Sequence, residues 1–167
     1  MGIGDLDLGD LVAGMASRLC HQPWHRTETA QPDPVAAAGR VAVGLFNKGP
    51  QPVRSADAAV TLWLSGEFYH QDEVRARLLA AGALPLDADD AGLALAVYER
   101  QGVEGLTGLQ GAFVLAVWDA RTREIILVND RFGLYPHFYS HTGGAFTFAP
   151  EVGALLCNPS ISRAIDE

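Results

Sequence analysis

Between Asp10 and Cys20 the apolar residues Leu11, Val12, Met15 and Leu19 recur at the spacing of one helical face, and Pro23 follows soon enough to end the helix. From Gln22 to Gly39 the chain carries Pro23, Pro32 and Pro34 among polar residues, which predicts an irregular surface loop. Two apolar runs rich in β-branched and aromatic side chains come next, Arg40 to Phe46 and Ala58 to Leu64, each bounded by Gly or Pro. Both predict strands. Gln71 to Ala81 turns Val74, Leu78 and Ala81 to one side after the acidic start Asp72-Glu73, so a surface helix ends at Gly82. A second helix runs to Arg100, with Asp89 or Asp90 as its cap, Leu93 and Val97 inward, and Gly102 past its end.

The rest of the chain changes period. Gly111 to Trp118, Glu124 to Val128, Pro136 to Ser140 and Ala145 to Ala149 are short apolar runs separated by the turns Asp119–Arg123 and His141–Gly144, which predicts an antiparallel meander. The order is helix, two strands, two helices, four strands. Elements segregated in this way point to an α+β fold, two stacked sheets with helices outside, because strands this apolar need cover on both faces.

Composition narrows the class of protein. At 167 residues and 49% hydrophobic, the chain suits one domain with one good-sized core. Neither a long apolar run nor a basic-then-apolar start is present, so a soluble, cytoplasmic protein is expected. Gly2 suggests myristoylation, but Leu6 stands where that signal requires serine or threonine. The net charge of −8 and the scattered twelve Lys and Arg residues give no basic stripe for nucleic acid or an anionic membrane. Cys20 and Cys157 are too few for a disulfide framework and have no metal-ligand spacing, so no metal site is expected. Packing is the simplest role for Cys20, as for Trp63 and Trp118.

Four blocks then fall in one order: LSGEFYHQDEVRARL (Leu64 to Leu78), DDAGLALAVYERQGVEGLTGLQGAFVLAVWD (Asp89 to Asp119), NDRFGLYPHFY (Asn129 to Tyr139) and FAPEVGALL (Phe148 to Leu156). Together they resemble the N-terminal class II glutamine amidotransferase domain of the asparagine synthetase family, whose relatives include β-lactam synthetases and lasso-peptide cyclases. The resemblance spans about Leu11 to Leu156. It implies a four-layer αββα sandwich of two antiparallel sheets, the Ntn-hydrolase fold, and a cysteine at the chain start whose own α-amino group acts as base. A thiol needs such a base within hydrogen-bond reach.

Carried over residue by residue, the resemblance implies that Arg40 grips the glutamine α-carboxylate through a bidentate fork and that Val43, on the same segment, lines the pocket. Ser65-Gly66-Glu67 stands where the family has Asn-Gly-Glu: Ser65 and Gly66 take the oxyanion-hole positions, and Glu67 with Asp90 holds the substrate amino group. The plain alternatives are a surface arginine, a turn residue and a helix cap. A serine hydroxyl is shorter than an asparagine amide, and loss of one oxyanion donor costs about 3–4 kcal/mol of barrier. His21 aligns with the family's H-R-G phrase but is followed by Gln22 and Pro23, and Ala91-Gly92 replaces the polar residues usual after the acidic turn. The start MGIGDLDL holds no cysteine. In the third block, Asp130 or Arg131 pairs locally, Gly133 makes a turn and Pro136 begins a strand.

These departures favour a degenerate glutaminase-like domain, a scaffold without glutaminase activity in an amide-forming ligase. The ATP and magnesium such a ligase uses belong to a C-terminal synthetase domain, expected to follow in the native protein or to come as a partner chain; none is expected in this domain. Three other readings stay open: a fragment of an active asparagine synthetase without its native start, an autonomous module binding L-glutamine or a protein, and an unrelated α+β domain. A homodimer also stays open.

Overall fold

The computed structural model describes residues 7–164; the MGIGDL start, where the resemblance looks for a nucleophile, lies outside them. Helix α1 (Leu8–Leu19) is the first element among the described residues, capped by the Asp7 carboxylate accepting from the Asp10 N–H. The segment expected as an irregular loop is instead a hairpin. Strand β1 (Arg26–Asp33) pairs antiparallel with β2 (Ala36–Ala42), and the register slips between Ala30 and Asp33. Pro32 is tolerated at that irregularity because a residue there owes no ladder bond. The hairpin was hidden because β1 is polar and exposed along much of its length, so no apolar alternation marks it.

The strand expected at Arg40–Phe46 accordingly sits earlier, and Val43 to Gly49 forms turns beyond its end. After the two-residue β3 (Val53–Arg54), the second expected strand runs later than its apolar run suggests, as β4 (Val60–Phe68). Helices α2 (Asp72–Ala80) and α3 (Asp90–Thr107) follow as expected, although α3 continues past Gly102, whose φ of 63° puts a kink inside it. Asp89 caps α3, accepting from the Gly92 N–H.

Strands β5 (Gly111–Asp119) and β6 (Glu124–Asn129) complete a four-stranded antiparallel sheet in the order β3-β4-β5-β6. The expected four-strand meander stops there. β7 (Phe138–Thr142) and β8 (Ala145–Ala149) form a separate ribbon, followed by the short α4 (Val152–Leu155). The break occurs at Asp130, whose buried carboxylate accepts from the backbone N–H groups of Phe132 and Leu134, and Gly133 turns with φ 63°. That local pairing and turn agree with the sequence reading of the DRFG phrase.

Alternation along β4 and β5 builds the layers. Val60, Leu62 and Leu64, with Phe113, Leu115 and Val117, pack beneath Leu93, Ala94 and Val97 of α3 and Leu78 of α2. The opposite face carries Trp63, Ala116 and Trp118 against Ala36 and Ala38 of β2. Outside that layer, Met15 of α1 meets Ala154 and Leu155 of α4 and Ala149 of β8. The order is therefore α2/α3, four-stranded sheet, the two ribbons, α1/α4: an α+β sandwich of four layers whose inner second layer is split. Both tryptophans are core residues, but Cys20 is not packed. It is the exposed C-cap of α1, with Sγ toward the His25 carbonyl; the helical face ends at Leu19, so the next residue emerges into solvent.

One buried polar pair ties α3 to the sheet: the Tyr98 hydroxyl donates to Asp119 Oδ2 at 3.0 Å. Burial first, then this bond, pushes the phenol up to about 12. The proton is therefore held in the folded state while the unfolded chain gives it up near pH 10. Stability from this group is full below that value and is lost as pH rises toward 12. Tyr98→Phe is expected to lower stability at pH 7 by about 1.5 kcal/mol and to flatten the decline above pH 10, measured by urea denaturation across pH.

Candidate functional site

Of the residues picked from sequence, Arg40, Glu67 and Asp90 each have their polar atoms engaged by other groups of the chain rather than by one another. Arg40 is 6% exposed, and all five guanidinium N–H groups have acceptors. Nε and Nη2 both donate to Glu28 Oε2, Nη1 donates to the carbonyls of Asn47 (3.1 Å) and Leu64 (3.2 Å), and Nη2 also reaches the Gly49 carbonyl at 3.4 Å. Glu28 stands directly opposite Arg40 in the β1–β2 register. Its second oxygen accepts from the Gln51 N–H at 3.3 Å.

Gly66 has φ 103°, and an added Cβ would lie 2.1 Å from the Ala112 carbonyl oxygen. Only glycine fits, because β5 passes too close for a side chain. Glu67 accepts from the Tyr69 hydroxyl at 2.9 Å, and that bond raises the tyrosine above its ordinary range. Asp90 accepts from the Phe68 N–H at 2.9 Å and pairs with Arg75 at 3.2 Å. Asn47 joins these parts: its amide donates to the Gly66 carbonyl, and its Oδ1 accepts from the Asp90 N–H at 3.1 Å.

Two cavities border this network. One of about 350 Å³ touches Glu28, Arg40, Val43, Arg26, Lys48 and Trp24. The other, about 880 Å³, is a slot between the two ribbons. Alternate residues of the four-stranded sheet form its floor, Trp63 and Ser65 from β4 with Val114, Ala116 and Trp118 from β5, whereas unbroken runs of β2 and β8 form its sides. It therefore meets the floor strands face-on and the ribbons edge-on. The indole N–H groups of Trp63 and Trp118 are buried without an acceptor. Arg40 and Val43 touch both cavities, Ser65 only the slot, and Gly66, Glu67 and Asp90 neither. Arg40, Val43 and Ser65 thus share the slot, and the two carboxylates Glu67 and Asp90 lie outside it.

Cys20 and Cys157 line neither cavity, and Cys157 Sγ points to the Gly153 carbonyl. His21 does line the slot, half-exposed and paired with Glu151 at 2.7 Å. Among the described residues no group of three or more His, Cys, Asp or Glu side chains is placed to hold a metal ion, and no helix is long and apolar enough to cross a membrane. Sequence reasoning missed Glu28, Asn47 and Tyr69. The Thr-Glu-Thr alternation at residues 27–29 was the available signal for Glu28, and Asn47-Lys48-Gly49 marks a turn in which Asn47 takes φ 46°.

The class to which this α+β sandwich belongs is that of the glutamine amidotransferase domains. The chain belongs to that family, whose sequence model matches residues 7–167. It is 30% identical over 115 residues to asparagine synthetase [glutamine-hydrolyzing] 2 of Bacillus subtilis, covering 69% of this chain and 15% of that protein. A putative asparagine synthetase [glutamine-hydrolyzing] of Mycobacterium tuberculosis H37Rv is 32% identical over 138 residues, 80% of this chain and 21% of that one. The chain thus spans about a fifth or less of these relatives. In fold it is similar to the glutamine phosphoribosylpyrophosphate amidotransferase of Bacillus subtilis, an Ntn-type enzyme, with a TM-score of 0.60 at 22% identity over 72% of this chain and 29% of that one.

Proposed function

We propose that this chain is a non-hydrolysing glutamine amidotransferase domain of an asparagine synthetase-like, amide-forming protein, where it serves as a scaffold for an ATP-dependent synthetase domain. One observation carries the reading: the polar groups that would hold glutamine already have partners inside the chain. Arg40 is filled by Glu28 and three carbonyls, Asp90 by Arg75 and the Phe68 N–H, and Glu67 by Tyr69. Binding glutamine there means breaking a charge-assisted pair to make another, which leaves little net gain. Ser65 supplies a hydroxyl where an amide would be needed, and neither cysteine reaches a cavity beside it. The relatives carry most of their length outside the matched region, which supports a synthetase portion as the domain's partner.

The purified chain is expected to release no ammonia from millimolar L-glutamine above a blank, followed by a coupled dehydrogenase assay. Sustained release that disappears in a Ser65→Ala variant would sink the proposal.

A further inference from the structure

The 350 Å³ cavity gathers Arg26, Lys48 and the buried Arg40 in a protein of net charge −8. Among its lining residues the only acid is Glu28, and Glu28 stands directly in the Arg40 fork. Trp24 and Phe46 flank the same space, both with large exposed faces. Cations over a buried guanidinium, beside aromatic faces, make a receptor for a small carboxylate with an apolar or amide-bearing stem.

We propose that Glu28 is the resident ligand of this receptor, a latch that closes a small-carboxylate site by occupying the Arg40 fork from within the chain. This rests on the reading of a non-hydrolysing domain and goes further by naming what closes the site and which chemistry it would accept. The geometry favours a latch over an ordinary structural pair. Arg40 is held from behind by the carbonyls of Asn47, Leu64 and Gly49, so it stays in place if Glu28 leaves. Glu28 is held on the other side by one long bond from the Gln51 N–H, and its side chain is 23% exposed at the cavity wall. Removing its carboxylate leaves two N–H donors, Nε and Nη2, aimed at a carboxylate-sized space that opens into the cavity. A buried guanidinium without its partner is costly, and that cost drives uptake of a replacement anion.

Glu28→Ala, titrated with L-glutamine and separately with acetate in a calorimeter, is expected to bind both at least about tenfold more tightly than the unmodified chain. Glutamine amide, which lacks the carboxylate, is expected to give no heat. The variant's melting temperature is expected to fall and to recover as acetate is added. Glu28→Gln, a neutral isostere, covers the case in which the alanine variant does not fold, and it should show a smaller carboxylate-dependent rise. A folded variant that binds neither carboxylate, equal binding by the unmodified chain, or equal binding of the amide would each overturn the latch. So would an alanine variant that acetate fails to refold, together with a glutamine variant that acetate does not stabilise. Ammonia release measured on the unmodified chain tests the non-hydrolysing reading separately, so the two can fail independently.

Discussion

Arg40→Ala is expected to destabilise the chain by about 3–5 kcal/mol, read from the midpoint of urea denaturation with an unchanged slope. The guanidinium joins β2 to three other segments: β1 through Glu28, the stretch after β2 through Asn47 and Gly49, and β4 through Leu64. Truncation leaves the Glu28 carboxylate without its partner and three carbonyls without a donor, and it opens a void between the hairpin and the sheet. Arg40→Lys is expected to recover less than half of the loss, because one ammonium cannot reproduce five donors in a planar fork. A surface arginine that merely recruits substrate would lose well under 1 kcal/mol of stability on the same change. The measurement therefore separates a structural clamp from a free substrate receptor.

Gly66→Ala is expected to abolish cooperative folding, a loss of more than about 4 kcal/mol against a total of about 5–15 kcal/mol. The added carbon would meet the Ala112 oxygen at 2.1 Å and the Phe113 Cα at 2.7 Å, both backbone atoms of the neighbouring central strand. The φ of 103° would remain unfavourable for alanine even if β5 moved. Gly14→Ala supplies the contrast. Its Cβ meets nothing within 4 Å inside α1, so that variant is expected to gain about 0.5–1 kcal/mol. A folded Gly66→Ala protein with an unchanged melting curve would show that β4 and β5 do not approach as described.

How far the site could be read depended on whether each residue's partners lie nearby in sequence. Asp90 illustrates a local signal that was half sufficient. A helix start was evident at Asp89-Asp90, but only the fold assigns the cap to Asp89 and turns Asp90 toward the Phe68 N–H and Arg75. Arg40 illustrates the larger gap. Its role depends on Glu28, and Glu28 sits in a stretch whose prolines and exposed residues suggested a loop. Cross-strand register, not propensity, brings the two together.

By itself, the sequence determined the α+β class, the inward face of α3, the apolar runs behind β4 and β5, the turn at Asp130–Gly133, and membership of the amidotransferase family. Each of those rests on periodicity or on contiguous motifs, which are written along the chain. Only the tertiary structure decided that the second layer is two ribbons flanking a slot, that β1 exists, and that the arginine picked for gripping substrate is already held by Glu28. Those facts arise from pairings between distant segments, where backbone ladders and a buried charge seeking its partner override local pattern.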